Sequence, residues 1–579
     1  MYKSAAVRLD RILFVAVLWL AGCNTGESTK PALQVTPVIL VTPIYAPSSR
    51  TDPNLTPTAS PVAESSLIEI RKRGEVRIGV LYNYSPFGYL AHDGQVEGFE
   101  AELIRKIAEK WGVNPIFVQV TRQTRLPMLM SGDVDILAAA MPHRRELEQF
   151  VTFTTSTFKS GYTALVSSSS GIASIAQIGG GPVAVIGHES EAMFSQYAAQ
   201  NGLASTIQLV DSPEAAAALL TSSSVRAVIG RREALILANS SAPDSTVLTE
   251  FIATEPYAFA VRRGDYPLRD LIDLTLQNLA SDNTLGTVFS DTFFGYTPDP
   301  YPLLAGDSSY DYPNFSAEIS TQESALERFR RGEPLRVAGI ALLAIPVPFD
   351  GQPIIDGYNR AVINEMARRW NVPVAEIPDS AGTVGIRLLQ SGQADIVLGI
   401  RPEKSMIGTL GLSKPYYQRG LRLAHMDDVT IAGISDLDGK PSLAAPPLDV
   451  AEDLIKKNNS FPRIDTTDSY QSAFEAITSR GAYALVGDEF SLELIAQADD
   501  RIVLDEKVYR QTGYVVAVAV QDSDFLALIN FTLQDMAMDG TLQRLADQYL
   551  KPYVPPGQEV ELPDLEQWPG DGSFLGFGQ

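Results

Sequence analysis

One stretch of this chain occurs twice, and no other feature limits so sharply what it can fold into. Between Gly74 and Trp111, Phe99, Leu103, Ile104, Ile107, Ala108 and Trp111 recur at helical spacing on one face. Between Gly332 and Trp370, Tyr358, Val362, Ile363, Met366, Ala367 and Trp370 repeat that pattern 259 positions later. Ser131-Gly132-Asp133-Val134-Asp135 returns as Ser391-Gly392-Gln393-Ala394-Asp395, and Asp282-Asn283-Thr284-Leu285 as Asp539-Gly540-Thr541-Leu542. Their displacements, 260 and 257, stay within three residues of each other, which marks duplication of a whole domain. Solenoid repeats are far shorter, roughly 20–50 residues.

Size agrees with this. At about 150 residues per compact unit, 579 residues suggest roughly four units, as two modules of two lobes would supply. A balance of 46 basic against 69 acidic side chains, net −23, excludes a nucleic-acid backbone as partner and a polybasic grip on anionic lipid. The single cysteine, Cys23, permits no internal disulfide. Its position is the informative part. Lys3, Arg8 and Arg11 precede the apolar run Ile12 to Ala21, the layout of a secretory signal over 1–22. That run is shorter than the roughly 20 residues a membrane-spanning helix needs. Leu20-Ala21-Gly22-Cys23 resembles the bacterial lipobox, which implies lipidation at Cys23 and a membrane anchor made of lipid. The Thr- and Pro-rich segment 23–66 has no period and reads as a tether.

From residue 67 the chain alternates strands and helices. A short amphipathic helix over Leu67 to Lys72 precedes a strand over Val76 to Val80, ended by Tyr84-Ser85-Pro86-Phe87. After the long amphipathic helix come a strand over Ile116 to Val120, a helix over Leu126 to Met130 and a buried strand over Asp135 to Ala140. This order predicts a parallel sheet covered by helices, an α/β fold.

The series VRIGV, YSPFGY, DGQVEGFEAELIRKIA, SGDVDILAA and VTFTTSTF, with the long run from Ala260 to Gly295, resembles the family-3 extracellular solute-binding proteins of amino-acid ABC transporters. The resemblance implies two tandem periplasmic-binding-protein-like (type II) modules, each of two α/β lobes joined by two crossing strands, with a ligand between the lobes. Module 1 would occupy 67–297, with lobe 1 over about 67–160 and 258–297 and lobe 2 over about 161–257. A linker over 298–321, module 2 over 322–552 and a Pro- and Gly-rich tail over 553–579, extended or disordered, complete the chain. The crossings would be Tyr162 to Val166 with Tyr257 to Val261, and in module 2 Leu421 to Ala424 with Tyr514 to Val518.

Carried over residue by residue, the resemblance places an aromatic wall at Tyr84, beside Phe87. The family's carboxylate-binding arginine is missing from its own position, and Arg144 or the adjacent Arg145 could substitute for it. Ser190 falls in the family's Gly-Thr motif, where Glu189 adds a negative charge. Arg231 stands where the family has the aspartate that pairs with a ligand ammonium, a reversal of sign that favours an anionic solute. Module 2 keeps that aspartate as Asp488 and has Arg401 near a carboxylate position. It has lost the aromatic wall to Pro346, before Pro348-Phe349, and carries Ala444-Ala445-Pro446-Pro447 where an amide donor would be needed.

His92, His143, His188 and His425 have no metal-ligand spacing, and neither a cofactor nor a metal is expected. The expected function is capture of an amino acid or related small polar or anionic solute for a membrane permease, on the extracytoplasmic face and without catalysis. Two alternatives stand beside it. One is a sensor or scaffold with a non-binding second module. The other is a dehydratase of cyclic acids, which this fold also supports, with Glu189 as proton donor.

Overall fold

The two amphipathic stretches fold as their spacing demands. In the computed structural model they form the helices Phe99–Trp111 and Ile354–Trp370, and none of the apolar residues named on their faces is more than 5% exposed. The structure describes residues 64–577 apart from 295, 297, 307–311, 320–322, 341–353, 379, 381, 445–450, 452–453, 456–463, 467–469, 552–553 and 555–556. The leader, Cys23 and all but the end of the tether lie outside the described residues, as do Pro346, Pro348, Phe349, Ala445, Pro446 and Pro447.

In module 1, lobe 1 is a five-stranded sheet in the order Asn114–Val120, Glu75–Leu81, Ile136–Pro142, Tyr257–Arg262, Val151–Phe153. The first three strands run parallel, and Tyr257–Arg262 is antiparallel to both its neighbours. The central strand Ile136–Pro142 is buried along nearly its whole length, as a parallel sheet covered on both faces requires. Lobe 2 orders Ser205–Val210, Gly181–Ile186, Ala227–Arg231, Gly161–Ser167 and Ser245–Val247, with Gly161–Ser167 the antiparallel member.

The strands of module 1 expected to cross between lobes are thus each confined to one lobe's sheet. The passages lie just before them, in Thr154 to Ser160 and Thr254 to Pro256, and are paired through the bridge between Phe158 and Tyr257 and through the Glu255 amide, which donates to Ser160 O (2.9 Å). Pro256 costs this pairing nothing, because its backbone faces the other neighbour, where its C=O accepts from the His143 amide (2.8 Å). In module 2 the corresponding residue is Gly513, which pairs with Gln418. There Tyr417–Met426 and Arg510–Ala519 pair from Tyr417↔Tyr514 to Leu421↔Arg510, and one ten-stranded sheet runs through both lobes.

Duplication extends to hydrogen bonds. Ser65 Oγ donates to Asp265 (2.5 Å) and Ser324 Oγ to Asp522 (2.6 Å), anchoring the first helix of each module. Trp111 Nε1 donates to Thr275 (2.9 Å) and Trp370 Nε1 to Thr532 (2.8 Å).

The modules meet through equivalent surfaces, an isologous contact of the kind two-fold dimers make. Tyr266 and Ser523, 257 positions apart, share a hydrogen bond of 2.6 Å. Each module's C-terminal extension docks on the other module. The Lys404 amide donates to Ala305 O, and the Arg145 amide to Pro569 O, both at 2.9 Å. The tail is accordingly ordered: Val560, Leu565, Trp568 and Leu575 are buried, and Trp568 stacks on His143 with ring centroids 3.8 Å apart. Among its described residues the tail forms only the short 3-10 helix Ser573–Leu575, in keeping with its lack of sequence period, and it gains its order from the surfaces it lies on.

Candidate functional site

Between the lobes of module 1, side chains from both sheets converge on Glu233. This residue lies in the first turn of the helix Arg232–Ser241, directly after the strand Ala227–Arg231, and is buried. It accepts hydrogen bonds from Tyr84 OH (3.1 Å), Tyr257 OH (2.7 Å) and Ser160 Oγ (2.6 Å). Tyr84 and Tyr257 belong to lobe 1, Ser160 to the end of a passage, and Glu233 to lobe 2. Burial pushes the Tyr84 and Tyr257 phenols well above their usual range, and the neighbouring Glu233 charge adds to the rise, so both remain donors.

A second group surrounds Arg231. Its Nη1 donates to Glu255 and, at 3.3 Å, to Tyr257 OH, while Nη2 donates to Glu189 (3.0 Å). Its guanidinium lies 4.7 Å from the ring centre of Tyr162, whose phenol burial pushes up to about 12. Arg144 approaches from lobe 1, with Nη1 3.4 Å from the other oxygen of Glu255 and Nε donating to Glu146 (2.7 Å). Arg144 and Arg231 therefore converge on the chain's own Glu255. At the outer edge Arg122 lies over the Tyr84 ring at 5.5 Å and pairs with Glu189 at 3.7 Å, linking the lobes a second time.

Burial opposes ionisation of Glu189. The hydrogen bond and charge of Arg231 outweigh it, holding that carboxyl below the usual range.

Three residues named from the sequence sit elsewhere. Phe87 is 1% exposed and packs edge-on against Phe99, Phe158, Tyr257 and Phe293, so it supports Tyr84 from the core and does not face the cleft. Ser190 is 2% exposed within the helix Gly187–Gln200. Arg145 points away to the other module, where Nη2 donates to Gln534 (2.9 Å) and Nη1 pairs with Asp535 at 2.8 Å.

In module 2, Asp488 is buried and accepts from Arg419 Nη2 and from the amide of Ser491 (3.2 Å), capping the helix Glu489–Ala498. Arg419 stands where module 1 has Ser160. A guanidinium of the chain itself thus pairs with Asp488. Arg401 Nη2 donates to Glu403 (2.7 Å). Tyr417 and Tyr514 stack at 4.7 Å beside this pair.

Sequence reasoning missed Glu233, Glu255, Ser160 and Arg419. Glu233 left one trace, an acidic residue two positions after the end of a buried strand. The others had none, since only the meeting of distant segments selects them.

No group of His, Cys, Asp or Glu among the described residues has the geometry of a metal site. No helix among them is long and apolar enough to cross a membrane.

Paired α/β lobes with polar side chains meeting between them define a two-lobed solute-binding protein, here built twice. The chain belongs to the bacterial extracellular solute-binding proteins, family 3, which it matches over 76–295 and again over 340–552. Its curated relatives are mostly binding proteins of amino-acid transport. It is 28% identical over 236 residues to the ABC transporter glutamine-binding protein GlnH of Bacillus subtilis (strain 168), spanning 39% of this chain and 84% of GlnH. A 90-residue stretch is 38% identical to membrane-bound lytic murein transglycosylase F of Aeromonas hydrophila, 15% of this chain and 18% of that enzyme. Among solved structures, the Ancestral Cationic Amino Acid Solute Binding Protein (AncCDT-1) is similar, with 26% identity, a TM-score of 0.35 and coverage of 40% of this chain and 100% of that one.

Proposed function

We propose that module 1 captures an amino acid between its lobes by hinge closure and delivers it to an ABC-type permease, while module 2 binds no solute and serves as a scaffold. The observation that carries this reading is the bridge from Tyr84 in lobe 1 to Glu233 in lobe 2, beside Arg231 and Glu255. Arg122, Arg144 and Arg231 face Glu189, Glu233 and Glu255, so the cleft is balanced in charge. Such balance suits a zwitterion better than a dianion, with the ligand carboxylate at the guanidiniums and its ammonium at Glu233. Closure of this kind shifts a population between open and closed lobes. Delivery to a permease is supported by the transport role in the relatives' names.

A binding role is favoured over the dehydratase alternative because Glu189 is held below the usual carboxyl range, the wrong direction for a proton donor near neutral pH. The scaffold role of module 2 rests on Arg419 neutralising Asp488 from within.

Calorimetric titration of the full chain with the common amino acids tests the proposal. One or more should bind, with Glu233→Gln and Arg231→Ala each weakening affinity at least tenfold and Arg401→Ala leaving it unchanged. At 100 times its dissociation constant such a ligand should stabilise the protein by about 2.7 kcal/mol. A complete lack of binding, or insensitivity to both module 1 substitutions, would refute it.

We further propose that the chain is anchored outside the cell by lipid on Cys23, supported by the charged and apolar run before it. Cys23→Ser should move the protein from the membrane to the soluble fraction. Unchanged membrane retention would exclude the anchor.

A further inference from the structure

The contact between the modules encloses a cavity of about 480 Å³. Its two main walls come from equivalent positions of the duplicated domain, yet their chemistry differs. Module 1 contributes His143, Glu148, Arg269, Asp270 and Asp273. At the corresponding positions module 2 contributes Pro402, Ile407, Leu526, Ala527 and Asn530. Charge at these positions calls for partners, because buried ions are costly unless paired.

Most of that charge is internally matched. His143 Nε2 lies 2.7 Å from Glu148, and Arg269 Nε donates to Asp270. Lys414, also on the lining, donates to Glu566 of the tail (2.9 Å). Asp524 on the same lining pairs with Arg263 (2.6 Å). Asp273 is different: it accepts the Thr155 amide (2.8 Å) and forms no ion pair among the described residues. Burial pushes its carboxyl up to about 7 despite the nearby Arg269. A second polar atom is also unspent. His143 is 4% exposed, held between Phe153 and Trp568, and its Nδ1 meets no partner.

We propose that this cavity is a second binding site, separate from the cleft of module 1, and that it takes a small amine with an aliphatic or aromatic body. The ammonium pairs with Asp273, His143 Nδ1 takes a polar group, and the body lies on Leu412 and Leu526, with Trp568 closing one side. An anion is disfavoured because the basic lining residues already hold carboxylates. The carboxylate of Asp273 also holds Thr155, which belongs to the passage between the lobes of module 1, so an occupant touches that hinge.

The test is calorimetric titration of the full chain with 2-phenylethylamine and with 1,5-diaminopentane, each to 10 mM. At least one should bind with a dissociation constant below 1 mM. Asp273→Asn, which removes the charge and keeps the shape, should weaken that binding at least fivefold, and Leu412→Phe, which narrows the cavity from the opposite wall, should do the same. Glu233→Gln in the cleft should leave it within twofold. A cavity that holds only water shows no binding of either amine, which overturns the proposal. So does binding that Glu233→Gln removes, or binding that either cavity substitution weakens less than fivefold. Because the cleft substitution is read in the same series, failure here is distinguishable from failure of amino-acid capture.

Discussion

Module 1 and module 2 share a fold, an anchoring Ser–Asp pair and a Trp–Thr hydrogen bond, yet the space between their lobes has been used in opposite ways. Module 1 lines it with Tyr84, Ser160, Arg231, Glu233 and Glu255, a set of donors and acceptors from both lobes and the passages. Module 2 seals the same region with a buried Arg419–Asp488 pair and stacked Tyr417 and Tyr514. The hinges differ correspondingly. In module 1 short passages join two separate sheets, whereas in module 2 the paired strands run on as part of one sheet. Two copies of one domain thus keep their cores alike while the residues between their lobes diverge.

The largest effect should come from breaking the seal. Burial alone pushes the Asp488 carboxyl up, and Arg419 opposes that rise. Arg419→Met leaves the acid buried without a partner and should cost about 3–5 kcal/mol in denaturant unfolding. The double substitution Arg419→Met/Asp488→Leu should recover most of that. A loss below 1 kcal/mol in the single variant would mean that the pair does not hold module 2 shut.

Next in size is the pH dependence that Glu100 contributes in module 1. Glu100, buried at the start of Phe99–Trp111, accepts the Ala140 amide (2.7 Å), and burial raises its carboxyl from 4.5 to about 7. Asn359 occupies the equivalent place in module 2 and accepts from Tyr416 OH (2.7 Å). Between pH 4.5 and 7 the folded state keeps a proton that the unfolded chain has released. Stability from this group is therefore complete below 4.5 and is lost as pH rises to 7. Glu100→Gln should remove that slope, so that variant and parent diverge with rising pH by up to roughly 3 kcal/mol. Parallel stability profiles from pH 4 to 8 would contradict this.

The smallest effect probes what the copies have in common. Thr275→Val and Thr532→Val each remove the partner of a buried indole N–H, and each should cost about 1 kcal/mol. Thermal unfolding that shows one change well above the other would show that the two cores are less alike than their bonds suggest.

Much of this was legible before any coordinates. The helix Phe99–Trp111 begins and ends at the residues its apolar spacing marks, with Gly112 in the left-handed conformation closing it. The strands around Val76 and Ile116 form within one or two residues of their expected bounds. The cleft was legible only in part. Tyr84, Arg144, Glu189 and Arg231 do meet between or beside the lobes, but Phe87 belongs to the core, and Glu233 and Glu255 went unseen.

The sequence by itself determined the duplication, the alternation of strands and helices, and which faces are buried, because each depends on residues a few positions apart. Tertiary structure alone decided that Arg144 and Arg231 share Glu255, that Arg419 neutralises Asp488, and that Trp568 docks on His143. A charge or an aromatic ring pairs with whatever the fold brings within a few ångströms, and those neighbours lie tens to hundreds of residues away along the chain.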